Sequence, residues 1–437
     1  MQKVKTADMQ PEKYPSYSLG AKDEFIITEY NSAKPFSSFF PGVAGPDGIP
    51  MWTFYVNRGQ CVCSMGIQDK EHAIMEFLPA NRAYQLASTQ GFRTFFRTDN
   101  PEIPFYEPFQ KHYRDSALKR TQRMIISPSR LALEEVNDTL GLTFSVEYHN
   151  IPQDDFAGLI RTLNITNNAS TPTTLQGLDG LPLVVPYGVD NGSLKFTRRL
   201  VEAFVEVVNQ ENNAPLFRGK VEPVDRPEVV RIKQGNFYIG FVQGAGGAKL
   251  ITPIVDPARI FGSLSDYSYP ERFLNASAEE ILNGQVLENR FPCAMGLFET
   301  KLPPGDSFTY TSIIGHAPSV DFLNNMIPRI ARSEYVSAKR TEDLELIEKL
   351  TQGNFICSRE PVLDLYTRQN YLDNGLRGGF PVTLKGDAGQ SAFYMYSRKH
   401  GDLERDYNHF SLAPSKYSQG NANYRDVNQN RRNDLFF

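Results

Sequence analysis

One segment near the C-terminus, Tyr424-Arg-Asp-Val-Asn-Gln-Asn430, holds the residue types best suited to binding vicinal hydroxyl groups. A hydroxyl both donates and accepts hydrogen bonds, so a guanidinium can donate to it, a carboxylate can accept from it and an amide can do either. The surrounding stretch 417–432 is almost free of aliphatic residues and cannot form a hydrophobic core. A polar loop with a helix cap at Asp426 also fits the spacing. The predicted ligand contacts are Arg425, Asp426, Asn428 and Gln429.

Four other segments are weaker candidates. Asp154-Asp155 is an acidic pair, but neighbouring residues of a strand point to opposite faces, which favours a solvated turn over a shared-proton dyad. The glycine-rich run 243–247 lies between two predicted strands, which favours a hairpin turn over a phosphate cradle. His316 is interpreted as a packed histidine. The aromatic loop 35–48 fits either an ordered surface loop or a contribution to a ligand site.

The cysteines and histidines show no metal-binding pattern. Six histidines occur without an HExxH-type pair, and the cysteines have no CxxC spacing. The four cysteines are Cys61, Cys63, Cys293 and Cys357. Because Cys61 and Cys63 flank Val62 in a strand-like run, we predict two buried thiols rather than a strained bridge. We therefore expect reduced thiols, no metal and no cofactor.

Composition and charge limit the classes of protein to which this chain can belong. A chain of 437 residues, 40% of them apolar, exceeds one ordinary hydrophobic core, which predicts two or three domains. Its 46 basic and 50 acidic residues leave a net charge of −4 without a long basic block, so neither nucleic acid nor a membrane surface is expected as a partner. No stretch approaches the roughly 18 uninterrupted apolar residues of a membrane span, and the N-terminus has no apolar signal region. A soluble, cytoplasmic protein is expected.

The elements that must position these residues fall into two parts. Residues 24–317 contain short β-branched and aromatic runs separated by turn residues, such as Leu142-Thr-Phe-Ser-Val-Glu-Tyr148, without regularly interspersed helical periods. This pattern predicts a large antiparallel β-sandwich. Farther along, Thr341-Glu-Asp-Leu-Glu-Leu-Ile-Glu-Lys-Leu350 is amphipathic and predicts a helix, and two more helices are predicted at 361–371 and 390–399.

Three polar phrases toward the C-terminus resemble the start of the catalytic barrel in inverting glycoside phosphorylases. They are Gly401-Asp-Leu-Glu-Arg-Asp-Tyr-Asn-His409, Tyr417-Ser-Gln-Gly420 and Tyr424-Arg-Asp-Val-Asn-Gln429. The resemblance is to the cellobiose phosphorylase clan, and within it to the β-1,3-oligoglucan phosphorylases. It implies a galactose-mutarotase-like β-sandwich at 1–319, a helical linker at 320–357 and the beginning of an (α/α) barrel at 358–437.

The same resemblance implies a reaction. In the disaccharide-specific relatives, a Tyr/Phe-Arg-Asp-Ser-x-Gln-Asp motif places its arginine and aspartate against the hydroxyls of the donor glucose, and Arg425 and Asp426 occupy those places here. Val427 and Asn430 stand where the family has a small residue and an acid. The implied reaction is reversible phosphorolysis of β-linked gluco-oligosaccharides to α-glucose 1-phosphate with inversion, with inorganic phosphate as co-substrate.

The acid that such a cleavage requires is missing from the sequence. In the resembled family an aspartate of a Gly-Asp-Trp-Asn-Asp type motif protonates the leaving oxygen; this chain has no such motif, and its single tryptophan, Trp52, lies in the predicted sandwich. We therefore expect an N-terminal part of a longer enzyme with the acid beyond residue 437, a truncated reading frame, or half of a split protein completed by a C-terminal polypeptide. A non-catalytic carbohydrate-binding or assembly module and a glycoside hydrolase of similar architecture are the alternatives, and the resemblance is compatible with a homodimer.

Overall fold

The computed structural model describes residues 14–42, 44–45, 48–111, 118–222, 227–244, 247–378 and 380–395. In the first half of the chain the strands are β1 (Ser16–Leu19), β2 (Phe25–Thr28), β3 (Ser37–Phe39), β4 (Met51–Val56), β5 (Val62–Ile67), β6 (Ala73–Met75), β7 (Arg93–Thr98), β8 (Phe105–Tyr106), β9 (Arg120–Ile126), β10 (Leu131–Asn137), β11 (Leu142–Asn150), β12 (Ala157–Asn167) and β13 (Thr173–Leu181). In the second half they are β14 (Val205–Val208), β15 (Leu216–Gly219), β16 (Gly235–Gly244), β17 (Gly247–Ile251), β18 (Pro253–Ile254), β19 (Ala294–Leu302), β20 (Ser307–Ala317), β21 (Phe380–Gly386) and β22 (Gly389–Met395). The helices are α1 (Ala80–Gln90), α2 (Asn191–Phe196), α3 (Arg198–Val201), α4 (Ala258–Phe261), α5 (Glu271–Asn275), α6 (Ala278–Leu282), α7 (Val320–Ile330), α8 (Ser333–Thr351) and α9 (Pro361–Gly378).

Eleven of the described strands form one large antiparallel sheet. Its order is β1-β2-β9-β10-β11-β12-β20-β16-β15-β14, with β17 paired to the end of β16. A second sheet has the order β18-β19-β13-β7-β8 and a third the order β3-β4-β5-β6. Both smaller sheets share an apolar core with the large sheet, to which they contribute Phe96 and Met65 and the large sheet contributes Phe144 and Leu163. The predicted β-rich fold with several antiparallel sheets is therefore confirmed.

Side-chain alternation sets the register of neighbouring strands in the large sheet. Every second side chain is buried along β10 and β11, and the register pairs buried Leu133 with buried Val146. A slip of one residue would turn the apolar set to solvent, so burial selects this pairing. The central strand β12 is buried at nearly every position of its first half, because other elements cover its outer face there.

Two helices cover part of the outer face of the large sheet. The α7 helix begins after Ser319, whose hydroxyl accepts a hydrogen bond from the Phe322 amide at 3.1 Å. The apolar contact joins Leu323, Met326 and Ile330 of α7 to sheet residues that include Ile160, Phe237 and Ile313. Both α7 and α8 lie within the predicted interval 320–357, and α8 contains the helix predicted at 341–350. Their role as a linker to a barrel stays a prediction.

The last described elements confirm one predicted helix and contradict another. The helix predicted at 361–371 lies within α9. The helix predicted at 390–399 is wrong for its described part, because Gly389–Met395 forms β22 and pairs with β21. Gly386 and Gly389 flank a two-residue turn, and the φ of 117° at Gly389 suits a hairpin that apolar periodicity did not reveal. No helix among the described residues is both long and apolar enough to cross a membrane.

Candidate functional site

The predicted ligand contacts lie outside the described residues. Arg425, Asp426, Asn428 and Gln429 belong to the segment 396–437. The saccharide pocket that they are predicted to form therefore stays a prediction. Two polar sites do have a defined geometry, and we name them the Asp154 cluster and the Tyr187 cleft.

The Asp154 cluster joins the two outer helices to the sandwich. The Asp154 side chain follows β11 and is only 4% exposed. It accepts two hydrogen bonds from the Arg329 guanidinium, at 3.1 and 2.8 Å, and one from the Tyr335 hydroxyl at 2.8 Å. The Lys339 ammonium lies 3.5 Å from the carboxylate and also donates to the Pro152 carbonyl at 2.9 Å. The predicted solvated turn is therefore wrong at this position, because side chains of α7 and α8 converge on the carboxylate.

Replacing Asp154 by asparagine is expected to loosen α7 and α8 from the sandwich. Burial raises the pKa of Asp154, but hydrogen bonds from Tyr335, Asp155 and Arg329 outweigh that effect and bring the pKa below its ordinary value. An amide removes the charge and leaves one acceptor atom in place of two. Hydrogen bonds to charged groups contribute about 1.5–3 kcal/mol, so we expect the free energy of local opening to fall by about 2 kcal/mol. Amide hydrogen exchange over residues 320–351 measures this change.

Asp155→Asn is the matched control for that experiment. The Asp155 carboxylate is 65% exposed and accepts one hydrogen bond from the Arg329 guanidinium, at 3.2 Å. Exposed ion pairs contribute at most about 1 kcal/mol, so this variant is expected to exchange nearly as slowly as the unmodified chain. If Asp154→Asn also left exchange unchanged, the cluster would not be what holds the helices.

The Tyr187 cleft is an open cavity of about 600 Å³ on the sandwich surface. Cavities of roughly 300–1,000 Å³ are the size range of small-molecule sites. Its lining includes Glu71, His72, Tyr187, Glu222, Lys233 and Gln234. The cleft therefore combines carboxylates, an ammonium, an amide and aromatic rings.

Two short connections position His72 and Tyr187. His72 ends a 3-10 turn that begins after Asp69 and leads into β6, and its Nδ1 lies 2.6 Å from Asp69 Oδ1. Tyr187 follows β13, where its backbone forms an isolated bridge to Arg218 of β15. Its amide donates to the Phe217 carbonyl at 3.1 Å. His72 is thus held by Asp69, and Tyr187 by backbone contacts to β15.

The Tyr187 ring lies between two imidazoles. Its centroid is 5.7 Å from the centroid of His72 and 4.7 Å from that of His316, with interplanar angles of 37° and 43°. Burial raises the pKa of Tyr187, and the negative charges of Asp69 and Glu222 add to that rise. The phenol therefore keeps its proton near neutral pH and can both donate and accept a hydrogen bond.

A buried amide determines which ring nitrogen of His316 carries the proton, at the base of the cleft. The Asn236 amide donates to the carbonyls of Ala73 and Val185, at 3.2 and 2.8 Å, so its oxygen faces His316 Nδ1 at 3.4 Å. Burial, with the charge of His72 as a smaller cause, lowers the pKa of His316 to about 4. A neutral His316 that donates through Nδ1 leaves Nε2 as an acceptor.

The amide of Gln234 completes this network at the cleft surface. Its oxygen lies 3.2 Å from His316 Nε2. Two acceptors cannot share a hydrogen bond, so with a neutral imidazole the amide must turn its nitrogen toward the ring, and its oxygen can then accept from the Tyr187 hydroxyl, with which this side chain also forms a hydrogen bond. The described lining of the cleft therefore offers both donors and acceptors, and it includes no cysteine and no serine as a nucleophile.

Sequence reasoning singled out only His316, which contacts the lining residues Tyr187 and Gln234. His316 was predicted to be packed, and its 8% exposure confirms that. His72, Tyr187 and Gln234 were not singled out, because only the tertiary fold brings them together. The pairing of Asn236 with His316 in the β16–β20 register decides their position, and no local signal encodes that register.

The cysteines agree with the prediction of buried thiols. Cys61, Cys63 and Cys293 are buried free thiols, whereas Cys357 is exposed. Burial raises the pKa of Cys63 to about 12, so this thiol stays protonated. Within the part of the chain that the structure describes, no three histidine, cysteine or acidic side chains are grouped to hold a metal ion.

Comparisons with known proteins give only distant structural similarity. No family model and no curated protein sequence matches the chain. A polysaccharide lyase is similar with 9% identity and a TM-score of 0.29, over 61% of this chain and 32% of the lyase. A provisionally assigned kojibiose phosphorylase from the human microbiome has 8% identity and a TM-score of 0.27, over 81% of this chain and 33% of that protein. A galactose mutarotase-like protein from Clostridium acetobutylicum has 8% identity and a TM-score of 0.31, over 70% of this chain and 98% of that protein.

The similarity covers about a third of the lyase and of the kojibiose phosphorylase. TM-scores this low assign the chain to no family, and they carry no conclusion about its activity.

Proposed function

We propose that this chain is the N-terminal part of a cytoplasmic β-glucan phosphorylase. The enzyme reversibly phosphorolyses β-linked gluco-oligosaccharides to α-glucose 1-phosphate with inversion, and inorganic phosphate is its only co-substrate. The observation that carries the proposal is the motif Tyr424-Arg-Asp-Val-Asn-Gln429, which follows a β-rich region and the helices α7 and α8. The Asp154 cluster supports it, since it holds these helices on the sandwich in a defined position.

The motif residues have different hydrogen-bonding roles in binding the donor glucose. Arg425 donates to hydroxyls through its planar fork, and Asp426 accepts from them. Asn428 and Gln429 add contacts that donate or accept. The general acid is expected from another motif, because the 437 residues contain no Gly-Asp-Trp-Asn-Asp sequence. Phosphate then attacks the opposite face of the sugar as the acid protonates the leaving oxygen.

Replacing Arg425 by alanine is expected to weaken glucose binding by roughly 10–100-fold. The estimate follows from losing charged hydrogen bonds of about 1.5–3 kcal/mol, at about 1.4 kcal/mol per factor of ten. Isothermal titration of the chain with glucose measures the affinity. Arg432→Ala is the matched control, because it removes a guanidinium from the same polar segment outside the motif. Equal losses in both variants would point to general charge effects and against a donor site at Arg425.

Catalysis needs a separate test. The full gene product is expected to release glucose 1-phosphate from laminari-oligosaccharides only when phosphate is present. Release of free glucose without a phosphate requirement would favour a glycoside hydrolase of similar architecture and would reject the phosphorylase.

The alternative function is a non-catalytic carbohydrate-binding or assembly module. The absence of the acid motif favours it. Turnover measured on the 437-residue chain alone separates the two, because the phosphorylase proposal expects none until a complementing C-terminal polypeptide is added. A chain that gains no activity from any such polypeptide, yet binds glucan, would be the module.

A further inference from the structure

We propose that the Tyr187 cleft is a second binding site and that its ligand is a neutral saccharide. The proposal is independent of the motif at Arg425 and uses only described residues. It rests on the charge balance of the cleft, on its mixture of aromatic and apolar surface with polar groups, and on the rigidity of its walls.

The charges of the cleft favour a neutral ligand over an anion. Among its described lining residues, Glu71, Asp190 and Glu222 bring three carboxylates, and Arg231 and Lys233 bring two cations. An added phosphate or carboxylate would meet a net negative wall, and like charges a few ångströms apart repel even near a surface. A strongly cationic ligand would meet Arg231 and Lys233. A neutral molecule with many hydroxyls avoids both penalties.

The polar groups suit hydroxyls because they include both donors and acceptors. Lys233 is exposed and can donate, and the Gln234 amide can donate or accept. Among the described residues Glu71 uses only Oε2, which accepts from the Asn191 amide at 2.8 Å. Its second oxygen is left for a ligand hydroxyl. Each ligand hydroxyl can thus satisfy both its donor and its acceptor capacity.

The cleft also has a surface for the apolar face of a sugar ring. Tyr187 and His72 both line the cavity and are only partly buried, so the exposed parts of their rings contribute aromatic surface. Ile232 and Pro318 add aliphatic surface beside it. Aromatic side chains supply contact area at low conformational cost, and tyrosine adds a polar group at its tip. This combination suits a saccharide better than a simple polyol, which has no ring face.

The walls are rigid before any ligand binds. His72 is held by Asp69 at 2.6 Å, and His316 is held through Asn236, whose amide bonds two carbonyl groups. Tyr187 is fixed between these two imidazoles. Little ordering of side chains is needed on binding, so even a small ligand can be retained.

Saturation-transfer difference NMR with laminaribiose tests the proposal. The experiment uses the full chain carrying Arg425→Ala, Asp426→Asn, Asn428→Ala and Gln429→Ala, so that the motif cannot contribute to binding. Saturable binding is expected in this background, and Tyr187→Ala is expected to weaken it at least tenfold, since about 1.4 kcal/mol of ring contact corresponds to that factor. Lys233→Ala, an exposed position that cannot disturb the core, is expected to weaken it by roughly threefold to tenfold.

Tyr17→Ala is the matched control for the ring. Tyr17 is 53% exposed on the edge strand β1 and stacks on Phe25, away from the cleft lining. Its loss is expected to leave laminaribiose binding unchanged. If Tyr187→Ala fails to fold, judged by circular dichroism, the Lys233→Ala result decides.

Several results would overturn the proposal. One is the absence of a saturable laminaribiose signal in the motif-free chain. Another is that the motif-free chain binds laminaribiose with the same affinity whether the cleft is unmodified or carries Tyr187→Ala or Lys233→Ala. A third is tighter binding of glucose 1-phosphate than of glucose, which would make the cleft an anion site. Failure of phosphorolysis by the full gene product would reject the proposed enzyme but leave these outcomes unaffected, so the two proposals fail separately.

Discussion

Replacing Arg161 by methionine is expected to lower the free energy of unfolding by about 3–5 kcal/mol, because it leaves a buried carboxylate without its cation. Arg161 on β12 and Asp179 on β13 are both fully buried, and Arg161 Nη1 donates to Asp179 Oδ1 at 2.5 Å. Burial raises the pKa of Asp179, and the charge of Arg161 opposes that rise. Methionine fills much of the arginine volume but cannot replace its hydrogen bonds. Urea denaturation followed by the fluorescence of buried Trp52 measures the change.

The expected loss is large because Arg161 connects several strands at once. Its guanidinium also donates to the Gln60 side chain, and to the hydroxyls of Tyr148 and Thr94, each at 3.2 Å. Thr94 in turn donates to the second oxygen of Asp179 at 2.6 Å. These partners come from the large sheet, from the second sheet and from the connection between β4 and β5 of the third, so the network joins the layers of the sandwich. Loss of the cation is therefore expected to weaken the whole domain rather than one strand.

Two further variants separate the lost cation from the lost volume. Arg161→Met combined with Asp179→Asn removes both charges, and it is expected to recover part of the stability because a neutral amide is less costly to bury than a carboxylate. Arg199→Met removes a guanidinium that is 92% exposed and paired with Glu202, and it is expected to cost less than about 1 kcal/mol. The explanation fails if Arg161→Met is no more destabilising than Arg199→Met.

The strands were predictable because buried apolar and exposed polar residues alternate along them in the sequence. Leu142-Thr-Phe-Ser-Val-Glu-Tyr148 became the main part of β11 with alternate residues buried, and the paired strand β10 shows the same period. The helix α8 was predicted from the spacing of its apolar residues, but its buried face was not, because that face carries Lys339, Asp343, Ile347 and Thr351 while Leu344 is 50% exposed. β22 was not, because Ala392, Phe393 and Met395 suit a helix as well as a strand, and only pairing with β21 decides between them.

The polar sites were less predictable because their partners are distant in the sequence. Asp154-Asp155 looks like a solvated turn when only its neighbours are considered. Its partners Arg329 and Lys339 come from helices far along the chain, and a single sequence does not show that contact. The Tyr187 cleft is similar, since His72 and His316 meet the same ring only after the sheets have formed. The motif at Arg425 could be singled out because all its residues are adjacent in the sequence, and its role stays a prediction.

Lowering the pH from about 7 to about 5 is expected to reduce the free energy of unfolding by roughly 2 kcal/mol for each of two buried histidines. Burial, with the charge of Arg340 adding to it, lowers the pKa of His149 from its ordinary value of 6.5 to about 3. The corresponding pKa of His316 is about 4. Below about pH 6.5 the unfolded chain binds protons at both residues while the folded chain does not, so stability falls as the pH falls through this window. Urea denaturation across the pH range measures the slope.

His149→Asn isolates one histidine, and Asp343→Asn supplies a control of opposite sign. As the pH falls from about 7 to about 5, the free energy of unfolding of His149→Asn is expected to rise by roughly 2 kcal/mol relative to that of the unmodified chain. Asp343 is 5% exposed in α8, and burial raises its pKa well above 3.8, so the folded chain keeps a proton there that the unfolded chain releases. That difference lowers the free energy of unfolding of the unmodified chain as the pH rises. The free energy of unfolding of Asp343→Asn should therefore increase relative to it toward high pH. Burial disfavours the charged form of both groups, and histidine is charged at low pH whereas aspartate is charged at high pH. If both variants changed the slope of the free energy of unfolding against pH in the same direction, burial would therefore not be the cause of either change.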